Sequence, residues 1–137
     1  MPAIQTEGTH AATVECAGYD EVKVNGETKA ICRIKAETPA GEHADGTIWL
    51  GSDAEKAHGA DIMRKLLGTP DATDAETFEA FAGFAKDCEI GVYLAGNYAR
   101  INLVDGIRLG VAKGADPKKS KSVLASLTGK GADILPF

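Results

Sequence analysis

The chain has 137 residues, of which 44% are hydrophobic and 26% are charged, and its formal net charge is −5 at pH 7. This length fits one domain with a single sizeable core. No apolar run approaches the roughly 20 residues that a membrane-spanning helix needs, and the first seven residues lack the basic start and apolar centre of a signal peptide. We therefore expect a globular cytoplasmic protein that makes no membrane contact.

The charge is distributed unevenly along the chain. Residues 1–105 carry 18 acidic and 9 basic side chains, a net charge of −9, whereas residues 106–137 carry 2 acidic and 6 basic side chains, a net charge of +4. Proteins that bind duplex DNA usually present a broad basic surface. Because the body of this chain is acidic, any contact with nucleic acid has to come from a local cluster of cations.

The residues that most often bind metals or carry out catalysis are scattered. Cys16, Cys32 and Cys88 are an odd number, lie far apart and each fall within a predicted strand, so we expect reduced, buried thiols. The three histidines show no ligand spacing with each other or with the cysteines. The sequence also contains no P-loop, GxSxG or HExxH motif. We expect no metal, no cofactor and no enzymatic activity.

Two strands joined by a tight turn open the predicted fold. Residues 9–19 alternate between apolar and polar side chains, as in a half-buried strand, and Gly18 marks a bend or bulge. Asn25 and Gly26 form the strongest short hairpin signal in the chain. They lead into a second strand at residues 28–38. One face of that strand is apolar, and the other carries Ile31, Arg33 and Lys35.

A third strand runs directly into a helix. Residues 47–50 are rich in β-prone side chains, with Trp49 predicted to face outward. Ser52 and Glu55 match the capping-box pattern that begins a helix. Gly68, followed by a proline two residues later, ends it. A short second helix is predicted within residues 75–86. Three aromatic residues recur there at a spacing of three, which favours a core position for Phe78, Phe81 and Phe84.

A second hairpin follows. Residues 88–95 and 98–104 are predicted strands around Gly96 and Asn97. Their apolar positions, which include Leu94, are predicted to face the core. The opposite face carries two aromatic residues and a cation, namely Tyr93, Tyr98 and Arg100. Residues 107–111 resemble a further short strand. The sequence does not decide whether this segment is an added strand that is used for dimerisation.

The order of strands and helix suggests a fold. Three strands, a helical segment and two more strands (β-β-β-α-β-β) is the order of the OB-fold, a small five-stranded barrel. We predict that residues 1–111 form a domain of this kind, all-β with a helix. Residues 112–137 are predicted to form a linker and a flexible C-terminal tail. A small α+β sandwich built from the same elements is the alternative.

Two features together resemble the single-stranded DNA-binding proteins of bacteria and their phages. One is the order of elements across residues 9–104. The other is the end of the chain, which reads Asp133, Ile134, Leu135, Pro136, Phe137. In that family a flexible tail ends in acidic residues followed by Ile-Pro-Phe and recruits replication and repair proteins. This chain departs from the pattern, because it has one acid instead of a cluster and Leu135 is inserted.

The resemblance implies sequence-tolerant binding of single-stranded DNA in phage or bacterial DNA replication, recombination or repair. It also implies that the tail recruits partner proteins, and that the protein acts in the cytoplasm, of the host cell if a phage encodes it. An apolar end that packs into the core, or an oligomer contact, is the alternative for residues 133–137. The oligomeric state, including a homo-oligomer, stays open.

Single-strand binding requires aromatic side chains on which bases stack and cations that follow the phosphates. The outward strand positions supply both kinds of group, and the predicted interface is Arg33, Lys35, Trp49, Tyr93, Tyr98 and Arg100. Each also has an ordinary structural explanation, because strands favour aromatic residues and lone surface cations are common. The competing function is an acidic protein-interaction module or inhibitor that does not bind nucleic acid, with the three phenylalanines as its partner surface.

Overall fold

The structure, a computed structural model, describes residues 2–109 and the short strand at 117–119. The elements in these ranges are β1 (Gly8–Val24), β2 (Glu27–Glu37), β3 (His43–Trp49), α1 (Asp53–Leu67), α2 (Asp74–Phe81), β4 (Ala85–Ala95), β5 (Tyr98–Val104), β6 (Ile107–Arg108) and β7 (Pro117–Lys119). The prediction of a β-rich fold with helical structure between the third and fourth strands is confirmed. Apart from β7, the predicted linker and tail, including residues 133–137, lie outside the described residues.

β1 is the strand through which the sheet is connected. It pairs antiparallel with β2 and, through residues 8–15, with β4 on its other side. β2 pairs with β3, and β4 with β5, again antiparallel. β3 and β5 are joined by one parallel bridge between Asp45 and Arg100. The pairings therefore run from β1 through β2, β3, β5 and β4 and return to β1.

A bulge divides β1 into two halves. The register with β2 shifts between Cys16 and Gly18, and Gly18 has a φ of 119°, a conformation that side-chain-bearing residues rarely adopt. Val14 is buried before the bulge and Tyr19 after it, so the inward-facing positions change from even to odd numbers. The bend predicted at Gly18 is confirmed, and the strand continues beyond its predicted end at residue 19.

The turns follow the local sequence. Asn25 and Gly26 have φ values of 52° and 83°, as a type I′ hairpin requires, and Gly96 has a φ of 62° at the start of the β4–β5 turn. Both predicted hairpins are confirmed. A third turn at Asp105 and Gly106, with φ values of 52° and 81°, leads from β5 to β6. β6 contains only the first two residues of the segment 107–111 that resembled a strand.

Both helices begin with a capping box. The Ser52 hydroxyl accepts a hydrogen bond from the Glu55 amide at 3.1 Å, while the Glu55 carboxylate accepts one from the Ser52 amide at 3.0 Å. Gly68, with a φ of 72°, ends α1 in the left-handed conformation. Both predicted ends of α1 are confirmed. α2 has an equivalent box formed by Thr73 and Glu76, which the sequence analysis did not identify.

The core lies between the sheet and the two helices. Phe78, Phe81 and Phe84 are all buried, and the rings of the last two stack with centroids 4.7 Å apart. The Tyr19 hydroxyl donates a hydrogen bond of 2.6 Å to the carbonyl oxygen of Phe78, and burial raises the pKa of this hydroxyl. The core position predicted for the phenylalanines is confirmed. Their use as a partner surface is wrong, because they have almost no exposed area.

Two other predictions of side-chain burial need correction. Ile31 was expected on the outward face of β2, but it is only 1% exposed. Val22 on the neighbouring strand β1 is also 1% exposed, so this part of the outward face is not open to solvent. Leu94 was expected in the core, but it lies next to the tight β4–β5 turn and is 37% exposed. Alternation predicts the direction of a side chain, whereas burial also depends on what lies beyond it.

The three cysteines are free thiols. Cys32 is buried, whereas Cys16 and Cys88 are only partly buried, so the prediction of reduced thiols is confirmed and that of full burial holds for one residue. The sulfur atoms of Cys16 and Cys32 are 3.5 Å apart. Their hydrogen bond lowers the pKa of Cys16, while burial raises the pKa of Cys32.

No helix in the described part of the chain combines the length and the apolar composition needed to cross a membrane.

Gly59 lets α1 approach β3 closely, and replacing it by alanine should destabilise the protein. A Cβ at residue 59 would lie 2.6 Å from Cδ2 of Leu50 and 2.9 Å from Cγ2 of Ile48, both of which are buried. Alanine gains about 1 kcal/mol in helix propensity, but overpacking a core costs about 1–3 kcal/mol. We expect Gly59→Ala to lower the free energy of unfolding by about 1 kcal/mol, measured in urea.

The control is Gly83→Ala. A Cβ at Gly83 meets no atom within 4 Å, and the residue does not need a positive φ. This substitution should leave stability unchanged or raise it by about 0.5 kcal/mol. A stabilising Gly59→Ala would contradict the close packing of α1 on β3.

Candidate nucleic-acid interface

Four of the six predicted interface residues lie together on the outer face of the sheet. Lys35 on β2 pairs with Asp45 on β3, Asp45 pairs with Arg100 on β5, and Arg100 pairs with Tyr93 on β4. Glu15 on β1 extends this line on the other side of Lys35. We call these five residues the outer row. The direct neighbours of Lys35 and Arg100 along their strands are buried, which confirms that the two cations point away from the core.

Tyr98 lies beside the outer row, at the start of β5 and two residues before Arg100. Leu94 and Tyr98 are the exposed large hydrophobic side chains among the described residues, and Tyr98 is the more exposed of the two at 64%. Cζ of Arg100 lies 5.3 Å from the centroid of the Tyr98 ring, within the range of a cation–π contact. Tyr93 is the cross-strand partner of Arg100, so both tyrosines are neighbours of this residue.

The charges of the outer row alternate and cancel. Glu15 and Asp45 flank Lys35 across the strands, and Asp45 also faces Arg100. In the described part of the chain, neither cation forms an ion pair within 4.0 Å, so each remains available to an incoming anion. Together with Tyr98, the row can therefore offer two cations and two aromatic side chains, but it has no net positive charge.

Arg33 has a different environment. Its guanidinium forms an ion pair with Asp20 on β1, whose side chain is only 7% exposed, while that of Arg33 is 35% exposed. A carboxylate this deeply buried requires a compensating charge. Arg33 thus has a structural role, because its guanidinium neutralises the buried Asp20 carboxylate. Only about a third of its side chain is exposed to solvent.

Trp49 lies at the other end of β3. It is four residues beyond Asp45, which corresponds to about 13 Å along a strand. Its neighbours Ile48 and Leu50 are buried, whereas Trp49 is half-buried, so the predicted outward direction is confirmed. Trp49 forms part of the wall of a groove between α1 and β6, together with Lys65 and Arg108. The structure thus separates it from the tyrosines.

Sequence reasoning missed Lys65, Arg108 and His58 as candidates. Lys65 lies in the last turn of α1, where a cation interacts favourably with the helix dipole, and Arg108 lies in the segment 107–111 that resembled a strand. The signal that could have identified Lys65 and His58 is spacing along the helix, since Glu55, His58, Ile62 and Lys65 lie on one face at intervals of three and four. Their proximity to β6 required the fold.

Among the described residues, no group of three or more His, Cys, Asp or Glu side chains is arranged to hold a metal ion. The chain matches no protein-family model, and the search of curated proteins finds no sequence that matches it. The resemblance to single-stranded DNA-binding proteins therefore depends on the residues and elements of this chain alone.

The ion pair of Arg33 predicts a loss of stability when this residue is removed. Arg33→Ala leaves the Asp20 carboxylate buried without its cation, and we expect the free energy of unfolding to fall by about 1–3 kcal/mol. Lys35→Ala, two residues along the same strand, should change it by less than about 0.5 kcal/mol. Urea unfolding of both variants at pH 7 measures the difference, and equal effects would contradict a structural role for Arg33.

Proposed function

We propose that this protein binds single-stranded DNA without strong sequence preference and acts in phage or bacterial DNA replication, recombination or repair. The observation that carries the proposal is the cluster of Tyr93, Tyr98, Arg100 and Lys35 on one outer face of the sheet. Recruitment of replication or recombination proteins by residues 133–137 is part of the proposal and rests on the family resemblance.

The order of strand pairing supports an OB-fold. Pairings that run β1–β2–β3–β5–β4 and return to β1, with the helices between β3 and β4, follow the strand order of that small barrel. OB-folds bind oligonucleotides on the face of strands two and three and with the loops that join strands one to two and four to five. The outer row crosses β2 and β3, and Tyr98 adjoins the β4–β5 turn. A fold alone does not define a function, so the chemistry of this face has to carry the argument.

That chemistry favours stacking over charge. A base that stacks on an aromatic side chain contributes about 1–3 kcal/mol, whereas two unit charges 4 Å apart in bulk water interact by about 1 kcal/mol. Glu15 and Asp45 further reduce the attraction of Lys35 and Arg100 for phosphate. We therefore expect the two tyrosines to supply most of the affinity. Only about two phosphates would be neutralised, giving a slope of log affinity against log salt near −1.4.

The charge pattern of the same face also favours the competing function. A row in which cations and acids alternate suits a protein partner with the opposite alternation, because electrostatic complementarity sets specificity at protein interfaces. An acidic interaction module would bind no oligonucleotide at any salt concentration. Titration with oligo-dT therefore separates the two functions.

The exposed ring of Tyr98 should be required for binding. We expect Tyr98→Ala to weaken binding of oligo-dT about 5- to 150-fold, which corresponds to the loss of one stacked base at roughly 1–3 kcal/mol. Tyr98→Phe keeps the ring and should bind as the natural protein does. Fluorescence anisotropy with labelled oligo-dT and with duplex DNA at low salt measures both variants. Equal affinities for the alanine and phenylalanine variants would remove Tyr98 from the interface.

Asp45 should limit the affinity for single strands. It lies between Lys35 and Arg100, where its charge repels phosphate, so Asp45→Asn should strengthen binding about fivefold at low salt, the equivalent of about 1 kcal/mol. The advantage should shrink as salt screens the charges. Asp71→Asn removes the same charge from the exposed segment between α1 and α2 and serves as the control. An identical gain in both variants would mean that net charge matters and the outer row does not.

A further inference from the structure

A groove lies between α1 and β6, outside the outer row. Its volume is about 550 Å³, within the range of about 300–1,000 Å³ that is usual for sites of small ligands. The floor is apolar and well packed, because Ile48, Ile62 and Leu109 are all buried. The groove is therefore a formed depression in the surface of the folded domain.

The rim of the groove is basic. Lys65 from α1 and Arg108 from β6 both line it and are exposed, and neither makes an ion pair with another described residue. Glu55 is the acid of the lining, and its carboxylate already accepts the hydrogen bond of the Ser52 amide at the start of α1. Asp61, one turn before Lys65, is bonded to Arg64 instead. An anionic group is thus the ligand that this rim complements.

Trp49 connects the groove with the proposed interface. Trp49 is one of the residues that line the groove, and it also lies on the outward side of β3, two residues beyond Thr47, which pairs with Arg33. Along β3 the distance from Asp45 to Trp49 is about 13 Å. An extended chain that first crosses the five strands of the outer row and then follows β3 would therefore reach the groove.

We propose that this groove holds one nucleotide of the bound single strand, with its base against Trp49 and its phosphate between Lys65 and Arg108. This inference rests on the proposed function and extends it, since it defines where the strand runs after leaving the outer row. The ligand is single-stranded, because a base within a duplex is paired and stacked on its neighbours and cannot present its face to a residue in the wall of a groove.

The test compares oligo-dT of different lengths. A short oligonucleotide such as dT4 can occupy the outer row alone, whereas dT12 can also reach the groove. We expect the double variant Lys65→Gln with Arg108→Gln to bind dT4 as the natural protein does. It should lose roughly tenfold in affinity for dT12 at low salt, and its slope of log affinity against log salt should become shallower by about 0.7, which corresponds to the one phosphate that the groove holds.

Lys56→Gln is the matched control, because Lys56 lies on the same helix but does not line the groove. Quenching of the fluorescence of Trp49, the only tryptophan, gives a second readout. In the natural protein we expect dT12 to quench it and dT4 to leave it nearly unchanged. The urea midpoints of all variants show whether they remain folded.

The outcomes separate the two proposals. If the natural protein binds dT12 and the double variant binds it equally well with unchanged quenching, the groove is not part of the path and the inference is wrong, while the proposed function stands. A loss that is equal for dT4 and dT12, or equal in Lys56→Gln, overturns the inference in the same way. If the natural protein binds neither oligonucleotide at low salt, the proposed function fails and the groove inference fails with it.

Discussion

The double pairing of β1 is the constraint on which the rest of the structure depends. One strand of 17 residues pairs with β2 through residues 13–24 and with β4 through residues 8–15. A strand this long has to bend to serve both neighbours, and the bulge beside Gly18 supplies the bend. Because the bulge changes which residues face inward, Val14 and Tyr19 can both enter the core. Tyr19 then bonds the backbone of Phe78 and fixes α2 against the sheet.

The strand pairing and the bulge in β1 also determine the charge pattern of the outer face. Strand pairing sets Lys35 between two acids and Arg100 beside one of them, and the bulge brings Asp20 to the same face as Arg33. Each of these three cations thus has a carboxylate from a neighbouring strand beside it. A surface of this kind has little long-range attraction for a polyanion, so contact chemistry decides what it binds.

Local signals in the sequence were sufficient for much of the fold. Hairpin dipeptides, the capping box at Ser52 and the stop at Gly68 act over a few residues, and the structure has each of these features where the pattern predicted it. The Asp20–Arg33 pair could not be predicted in this way, because it joins two strands and depends on a one-residue register shift. The burial of Ile31 was also missed, because alternation alone places this residue on the polar face.

The candidate site shows the same division between local and long-range information. Alternation identified Tyr93, Tyr98 and Arg100 as outward-facing, and only the pairing of β3 with β5 adds Lys35 to them. Trp49 was grouped with them in the sequence, yet the strand carries it about 13 Å away from Asp45, into a groove whose cations come from α1 and β6.

The separation of the tyrosines from Trp49 limits the kind of ligand that can use both. A compact small molecule would be too short to touch the two sets of aromatic residues, and a duplex is too stiff to lie on the outer face and also insert a base into the groove. A flexible polymer with a flat ring and one negative charge in every unit meets both requirements. Single-stranded nucleic acid has this chemistry, and it requires no net positive charge from the body of the protein when stacking supplies most of the affinity.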